Sequence, residues 1–365
     1  MNRDKLKVAV IGVGYGERHV AALTALQDVE VVALCSRRPE SVAAAAERHG
    51  VAFSTTEYAE VLALEALDAI SIAAPAGLHR EIALAAIASG RHVICEKPLA
   101  TTADAAKEML DAAEAAGVVH ATCYDWRDLP DARKLHRLLE EGCLGNLYHV
   151  RLEWMSDYHA DPSTPWTWRH SRAEAGFGVL GDMSHVLDEI HWHLGPVGRV
   201  AADLRTIVAE AWDGERGSLR ANEVEDAAAF VAVTAAGVQV VGHLSRCAPG
   251  ARYRRTVCFG SKGFAELTIP DELDRWTTTL VCGRTGDAGR VDRLHATSAQ
   301  DAGTTHERFA AAIRDRGVRV GASFVDGVAA LRVSEALRES SESSRWVELP
   351  PAPAVDGSVA YSDAG

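Results

Sequence analysis

The run Lys7-Val8-Ala9-Val10-Ile11-Gly12-Val13-Gly14-Tyr15-Gly16 constrains this chain more than any other stretch. It opens as a short apolar run between charge and glycine, as expected of a parallel strand buried on both faces. From Glu17 the spacing turns helical, with Val20, Leu23 and Leu26 on one stripe. Strand, glycine turn and helix in that order make a phosphate cradle. Gly12 permits the tight turn, and Gly14 lets a pyrophosphate approach the backbone. The helix then offers free N–H groups and the positive end of its dipole. Val13, Tyr15 and Gly16 belong to the same turn. The dinucleotide fingerprint G-x-G-x-x-G would put its third glycine at position 17, which is Glu17. Either the turn is one residue shorter, or Gly16 takes over that role.

Strand and helix patterns then alternate. Strands are expected at 29–35, 51–53, 68–74, 92–95 and 118–123, and helices at 39–49, 79–89 and 102–116. This alternation predicts a doubly wound parallel sheet of the Rossmann type over residues 1–123, with ligands at the carboxyl ends of the strands. An NAD site would carry an acidic residue at the end of the second strand, to bind the ribose hydroxyls. The chain has Ser36-Arg37-Arg38 there. A hydroxyl and two guanidinium groups suit a 2′-phosphate, so NADP is expected, with NAD as the alternative.

The charge balance limits the partners. With 51 acidic against 38 basic side chains the net charge is −13, which argues against nucleic acid and anionic membranes. No apolar run approaches the length of a membrane span. The seven cysteines are scattered without a C-x-x-C pair and read as reduced thiols of a cytoplasmic protein.

Glu96-Lys97-Pro98 follows the strand ending at Cys95, where such folds carry their chemistry. Further on comes Gly178-Val179-Leu180-Gly181-Asp182-Met183-Ser184-His185-Val186-Leu187-Asp188. With the glycine turn and its His19, Ala74-Pro75 with His79, and Gly90-Arg91-His92-Val93, these segments resemble the Gfo/Idh/MocA oxidoreductases over nearly the whole chain. The resemblance implies an NAD(P) domain followed by an α/β domain with a large open sheet. It also implies that Lys97 and His185 act beside the nicotinamide, and that the protein forms a homodimer or homotetramer through that sheet.

Residues 124–349 are expected to be this second, α+β domain, with a mainly antiparallel sheet, and residues 350–365 a disordered tail. Strands are expected near 147–154, 197–208, 226–234, 238–245, 254–259 and 265–269, and helices at 131–141, 182–194, 304–316 and 324–340. On the helix 182–194, Asp182, His185 and Asp188 are spaced by three and share a face. A histidine between two carboxylates suits acid/base work. A loop carries Tyr158, His159, Trp166, Trp168, Arg169 and His170, types that stack on and hydrogen-bond to a polyhydroxylated ligand. His185, Asp188, His191 and His193 cluster in sequence, but His191 and His193 cannot face the same way on a helix, and no metal is expected.

The expected activity is hydride transfer between a nicotinamide and a secondary alcohol or ketone of a sugar, sugar derivative or cyclitol. His185 would exchange the hydroxyl proton and Lys97 would hydrogen-bond the same oxygen. Asp182 would orient His185, and Glu96 would position Lys97 within the cofactor site. Tyr124, Arg127, Trp168, Arg169 and Asp188 are candidate substrate contacts. Two other readings stay open: a different reaction on the same scaffold, such as imine or enone reduction, and a non-catalytic NADP-binding regulator.

Overall fold

The computed structural model describes residues 5–161, 163–270, 278–284, 291–294 and 303–350. The expected tail beyond Pro350 lies outside the described residues. Six parallel strands form the first sheet: β1 (Leu6–Ile11), β2 (Val29–Cys35), β3 (Phe53–Thr55), β4 (Ala69–Ile72), β5 (His92–Cys95) and β6 (His120–Thr122). Their order is β3-β2-β1-β4-β5-β6. The crossovers are α1 (Gly16–Thr24), α2 (Pro39–His49), α3 (Tyr58–Leu62), α4 (Ala76–Ala88) and α5 (Ala103–Ala116). The order reverses between β1 and β4, so the turns after both open onto one crevice, the usual ligand position in such sheets. Val8, Ala9, Val10, Ile70 and Ile72 are fully buried, which explains strands without polar alternation.

A 3₁₀ turn, Asp125–Asp128, leads into α6 (Pro130–Glu140) and β7 (Leu147–Met155). Three helices follow: α7 (Arg172–Ala175), α8 (Val179–Asp182) and α9 (His185–Leu194). Next come β8 (Val197–Arg205), the hairpin β9 (Glu210–Asp213) and β10 (Ser218–Ala221), β11 (Ala227–Thr234), β12 (Gln239–Ser245), β13 (Tyr253–Gly260), β14 (Gly263–Pro270), β15 (Thr279–Arg284) and β16 (Val291–Leu294). The chain ends through α10 (Thr305–Arg314), α11 (Phe324–Ser343) and β17 (Val347–Glu348). The second sheet runs β16-β15-β14-β13-β7-β12-β11-β8-β17, antiparallel except where β7 meets β12. Alternation of buried and exposed residues along β11 and β12 fits a sheet covered on one face.

Two helices return from the second sheet to the first. α10 puts Phe309, Ala310 and Ala312 into the same apolar cluster as Val8, Val10 and Val20, while α11 packs against α5, α9 and β8. Apolar clusters are thus shared by elements on both sides of residue 123. The expected helix 182–194 is broken: α8 stops at Asp182 and α9 starts at His185. Asp182 and His185 thus do not share one helical face. Among the described residues, no helix is long and apolar enough to cross a membrane.

Candidate active site

A cavity of about 640 Å³ runs from the β1 turn to the end of the second sheet. Its first end is made of backbone. Gly12 has φ +101°, and a Cβ there would stand 2.4 Å from the Ala73 carbonyl oxygen. Only glycine both adopts that angle and fits that space. A Cβ on Gly14 would meet nothing within 4 Å, so the bare backbone faces the cavity. Gly16 begins α1 and packs away from the cavity, its Cβ position 3.2 Å from Ala73 and Val10. It fills the close-packing role of the third glycine in the fingerprint. Val13, Tyr15, Ser36, Arg37, Arg38, Ala74 and Pro75 line the same end. This cradle of glycine backbone, helix start and basic groups fits a dinucleotide. Arg38 is 79% exposed and meets Glu215 of the β9–β10 hairpin at 3.4 Å.

The middle of the cavity is set by Glu96 and Lys97, at the end of β5. The Lys97–Pro98 bond is cis. His79 is buried behind this turn, its Nδ1 3.0 Å from Pro98 O and its Nε2 2.8 Å from Ala74 O. It ties the β4 and β5 loops together and does not line the cavity. Glu96 accepts from the Lys97 N–H at 3.1 Å and meets His19 Nε2 at 3.0 Å. Burial works to raise the Glu96 pKa, but bonding to His19 and the charges of His19 and Lys97 outweigh it and hold the carboxyl below its usual range. Lys97 Nζ donates to the Asp182 carbonyl oxygen at 2.7 Å, a link across the middle of the cavity.

Side chains from distant segments make the other end. Trp126, Trp154, Tyr158, Trp168, Arg169, Asp182 and His185 line it. The Asp182 carboxylate accepts from Arg246 Nη1 at 2.9 Å and from the Tyr158 hydroxyl at 3.1 Å, with Arg169 Nε at 3.6 Å. Burial raises the Asp182 pKa, while Arg246, Arg169 and Lys97 together pull it below the ordinary value. Arg246 is completely buried and also bonds Asp226 at 2.8 Å. His185 is stacked on Trp126 at 4.9 Å and faces Tyr124 edge-on at 5.6 Å. Its Nε2 lies 3.7 Å from Asp125 Oδ1.

Three expected substrate contacts lie elsewhere. Arg127 and Asp188 are buried and bond each other twice, at 2.8 and 2.5 Å. Two opposite charges that would be costly alone in the interior have found each other instead of the cavity. Tyr124 is 1% exposed and stands behind His185, outside the cavity wall. Trp168 and Arg169 do reach the cavity, with the guanidinium 4.3 Å over the indole. Sequence reasoning missed Arg246, an isolated arginine after a strand that offers no motif. It also missed Asp125 and Trp126, which stand beside Tyr124 and Arg127 in the segment that it did single out. The His185–His193 group does not converge, because Asp188 pairs with Arg127 and His193 with Glu189 at 3.5 Å. Among the described residues, His19, Cys123 and His306 bring ligand-type atoms within 4.8 Å of one another. Both ring nitrogens of His19 already bond, to Ser71 at 2.7 Å and to Glu96, so His19 serves as a prop for Glu96.

Residues 6–124 match the model of an oxidoreductase family with an NAD-binding Rossmann fold, and residues 132–266 match the GFO/IDH/MocA C-terminal domain. Levoglucosan dehydrogenase from Pseudarthrobacter phenanthrenivorans is 34% identical over 218 residues, which are 57% of this chain and 56% of that protein. The uncharacterized oxidoreductase sll0816 of Synechocystis is 31% identical over 71% of this chain and 70% of its own length. The matched part of the first of these thus spans little more than half of that relative. Among solved structures, a levoglucosan dehydrogenase in complex with NADH and L-sorbose superposes with a TM-score of 0.86 at 28% identity, covering 95% of this chain and all of that one.

Proposed function

The chain belongs to the Gfo/Idh/MocA oxidoreductase family, and on that premise we propose that it transfers hydride between NADP(H) and a secondary alcohol or ketone of an uncharged sugar, sugar derivative or cyclitol. The observation that carries this reading is the single cavity. It joins the glycine turn to Lys97, His185 and a wall of tryptophans. A bound nicotinamide supplies the hydride acceptor or donor. His185 takes or returns the hydroxyl proton, and Lys97, steadied by the Asp182 carbonyl, hydrogen-bonds the same oxygen and stabilises developing negative charge.

An uncharged substrate follows from the electrostatics. Arg169 and Arg246 are held by Asp182 and Asp226, Asp125 faces His185, and Glu96 is bonded to His19, so these charges are engaged with one another rather than set out for an acidic or basic ligand. Trp154 and Trp168 supply aromatic surface for the C–H groups of a pyranose or cyclitol. A polyol panel tested with NADP+ and NAD+ checks this. Formation of reduced cofactor with neutral polyols supports it. Turnover confined to sugar acids or amines, or cofactor binding without any turnover, would overturn it.

The NADP preference rests on Ser36, Arg37 and Arg38 at the end of β2, although Glu215 competes for Arg38. Fluorescence titration should give tighter binding of NADPH than NADH, narrowed by Ser36→Asp with Arg37→Ala. Equal affinities in the parent protein would remove this part of the proposal.

A further inference from the structure

Resting on that reading, we propose that Asp125 is the carboxylate that serves His185 in proton transfer, the role that the sequence offers to Asp182. Asp182 is committed elsewhere, to Arg246, Tyr158 and Arg169. The carboxylate oxygen beside the imidazole belongs to Asp125, 3.7 Å from Nε2.

The surrounding structure holds this pair in place. The 3₁₀ turn Asp125–Asp128 carries both the Asp125 carboxylate and the Trp126 ring on which His185 stacks, the planes 22° apart. Arg127 of the same turn grips Asp188, one helical turn beyond His185 on α9, and also bonds Asp326 at 2.8 Å and Gly321 O at 3.0 Å. The turn and the helix are therefore clamped in register, and Arg127 and Asp188 act as positioning residues. Asp125 is 31% exposed at its side chain, against 3% for Asp188. It thus connects the imidazole to solvent, where Asp188 could not.

In the oxidation direction the substrate O–H bond breaks and its proton moves to the His185 imidazole. The C–H bond breaks with its electron pair, which leaves as hydride to the nicotinamide, and the carbonyl forms. The imidazolium so created stands beside the Asp125 carboxylate, which stabilises it and passes the proton to water. The other groups around His185 are Tyr124 from the segment before the turn, Lys97 and Asp182 along the same cavity, Arg254 over Trp126 at 4.0 Å, and the Arg127–Asp188 pair. Of these, Asp125 is the carboxylate paired with the imidazole.

The test compares the full-length parent with Asp125→Asn, Asp125→Glu and Asp182→Asn. Imidazole titration is followed by proton NMR, with the His185 signal assigned by its loss in His185→Asn, and kcat/KM is measured against pH with NADP+ and a polyol that the parent oxidises. The neutral imidazole is the base, so removing its anionic neighbour moves both its titration and the acid limb of the profile to lower pH, by about one unit. Asp125→Asn should lower kcat about tenfold or more while NADPH still binds. Asp125→Glu should keep the limb near its parent position, and Asp182→Asn should shift the imidazole titration less than Asp125→Asn does. An unmoved titration and limb in Asp125→Asn overturns the proposal, as does an equal loss in the Asn and Glu variants without a shift. If no polyol is oxidised at all, the functional reading fails. The NMR arm still decides the Asp125–His185 pairing.

Discussion

The cofactor end of the cavity is built from backbone, and the reacting end from side chains. At the first, the essential features are a positive φ at Gly12, a bare surface at Gly14 and the start of α1. All lie within one strand-turn-helix unit. At the second, Lys97, Trp126, Trp154, Trp168, Asp182, His185 and Arg246 arrive from separate elements. Their positions depend on buried ionic links such as Arg246–Asp226 and Arg127–Asp188. A backbone site tolerates changes in side chains around it, whereas a side-chain site is only as well placed as its supports.

The largest effect should come from Lys97→Ala. Turnover should fall by about 10²–10⁴, while NADPH binds with little change, because the glycine turn and the groups after β2 do the holding. Stopped-flow kinetics and fluorescence titration separate the two readouts. A matching loss of NADPH affinity would break the division between the ends. Lys97→Arg should not rescue turnover, since a planar guanidinium does not reproduce the compact ammonium at the Asp182 carbonyl.

Stability should respond just as unevenly. Arg246→Ala leaves Asp226, which is entirely buried, without its cation, a change that costs about 3–5 kcal/mol in comparable pairs. Arg38→Ala at the cofactor end removes only an exposed contact, with Glu215 87% exposed, and should alter stability by less than about 0.5 kcal/mol. Urea unfolding followed by tryptophan fluorescence measures both, and all eight tryptophans lie beyond residue 123. Similar losses in the two variants would contradict the contrast.

The same contrast explains what could be read from sequence. The parallel sheet was legible because each β1-type strand is a local apolar run, and Gly12 and Gly14 announce the turn. Lys97 and His185, both of which line the cavity, were singled out through the resemblance of short segments. The partner of Asp182 was not, because Arg246 is distant in sequence and stands in no motif. The helix break after Asp182 was hidden too, since Met183 and Ser184 are compatible with a continuous helix. Arg127 and Asp188 were misread because a charged residue near a site looks the same in sequence whether it faces a ligand or another charge. The short strands β9 and β10 went unseen for lack of a long alternating run.

The smallest effect concerns acid. His159 sits in the loop at the reacting end, stacked on His170 at 4.7 Å. Burial, then the charge of Arg246, pushes His159 down to about 4, and burial with the same arginine lowers His170 as well. Their folded values lie below the usual 6.5 or so of a free histidine. Their contribution to stability is therefore complete above that pH and is lost as the pH falls toward about 4. For His159 the loss is about 1 kcal/mol per pH unit below 6.5. Two charged imidazoles beside Arg246 would loosen the loop that carries Trp166 and Trp168. Between pH 6.5 and about 4, tryptophan fluorescence should thus change before global unfolding, and His159→Asn should flatten that change. The cofactor end offers no histidine among the residues that line it. NADH, which has no 2′-phosphate to titrate, should accordingly keep its affinity over this range. A parallel fall in NADH binding would mean that the two ends are coupled through the Lys97–Asp182 link more tightly than their separate construction implies.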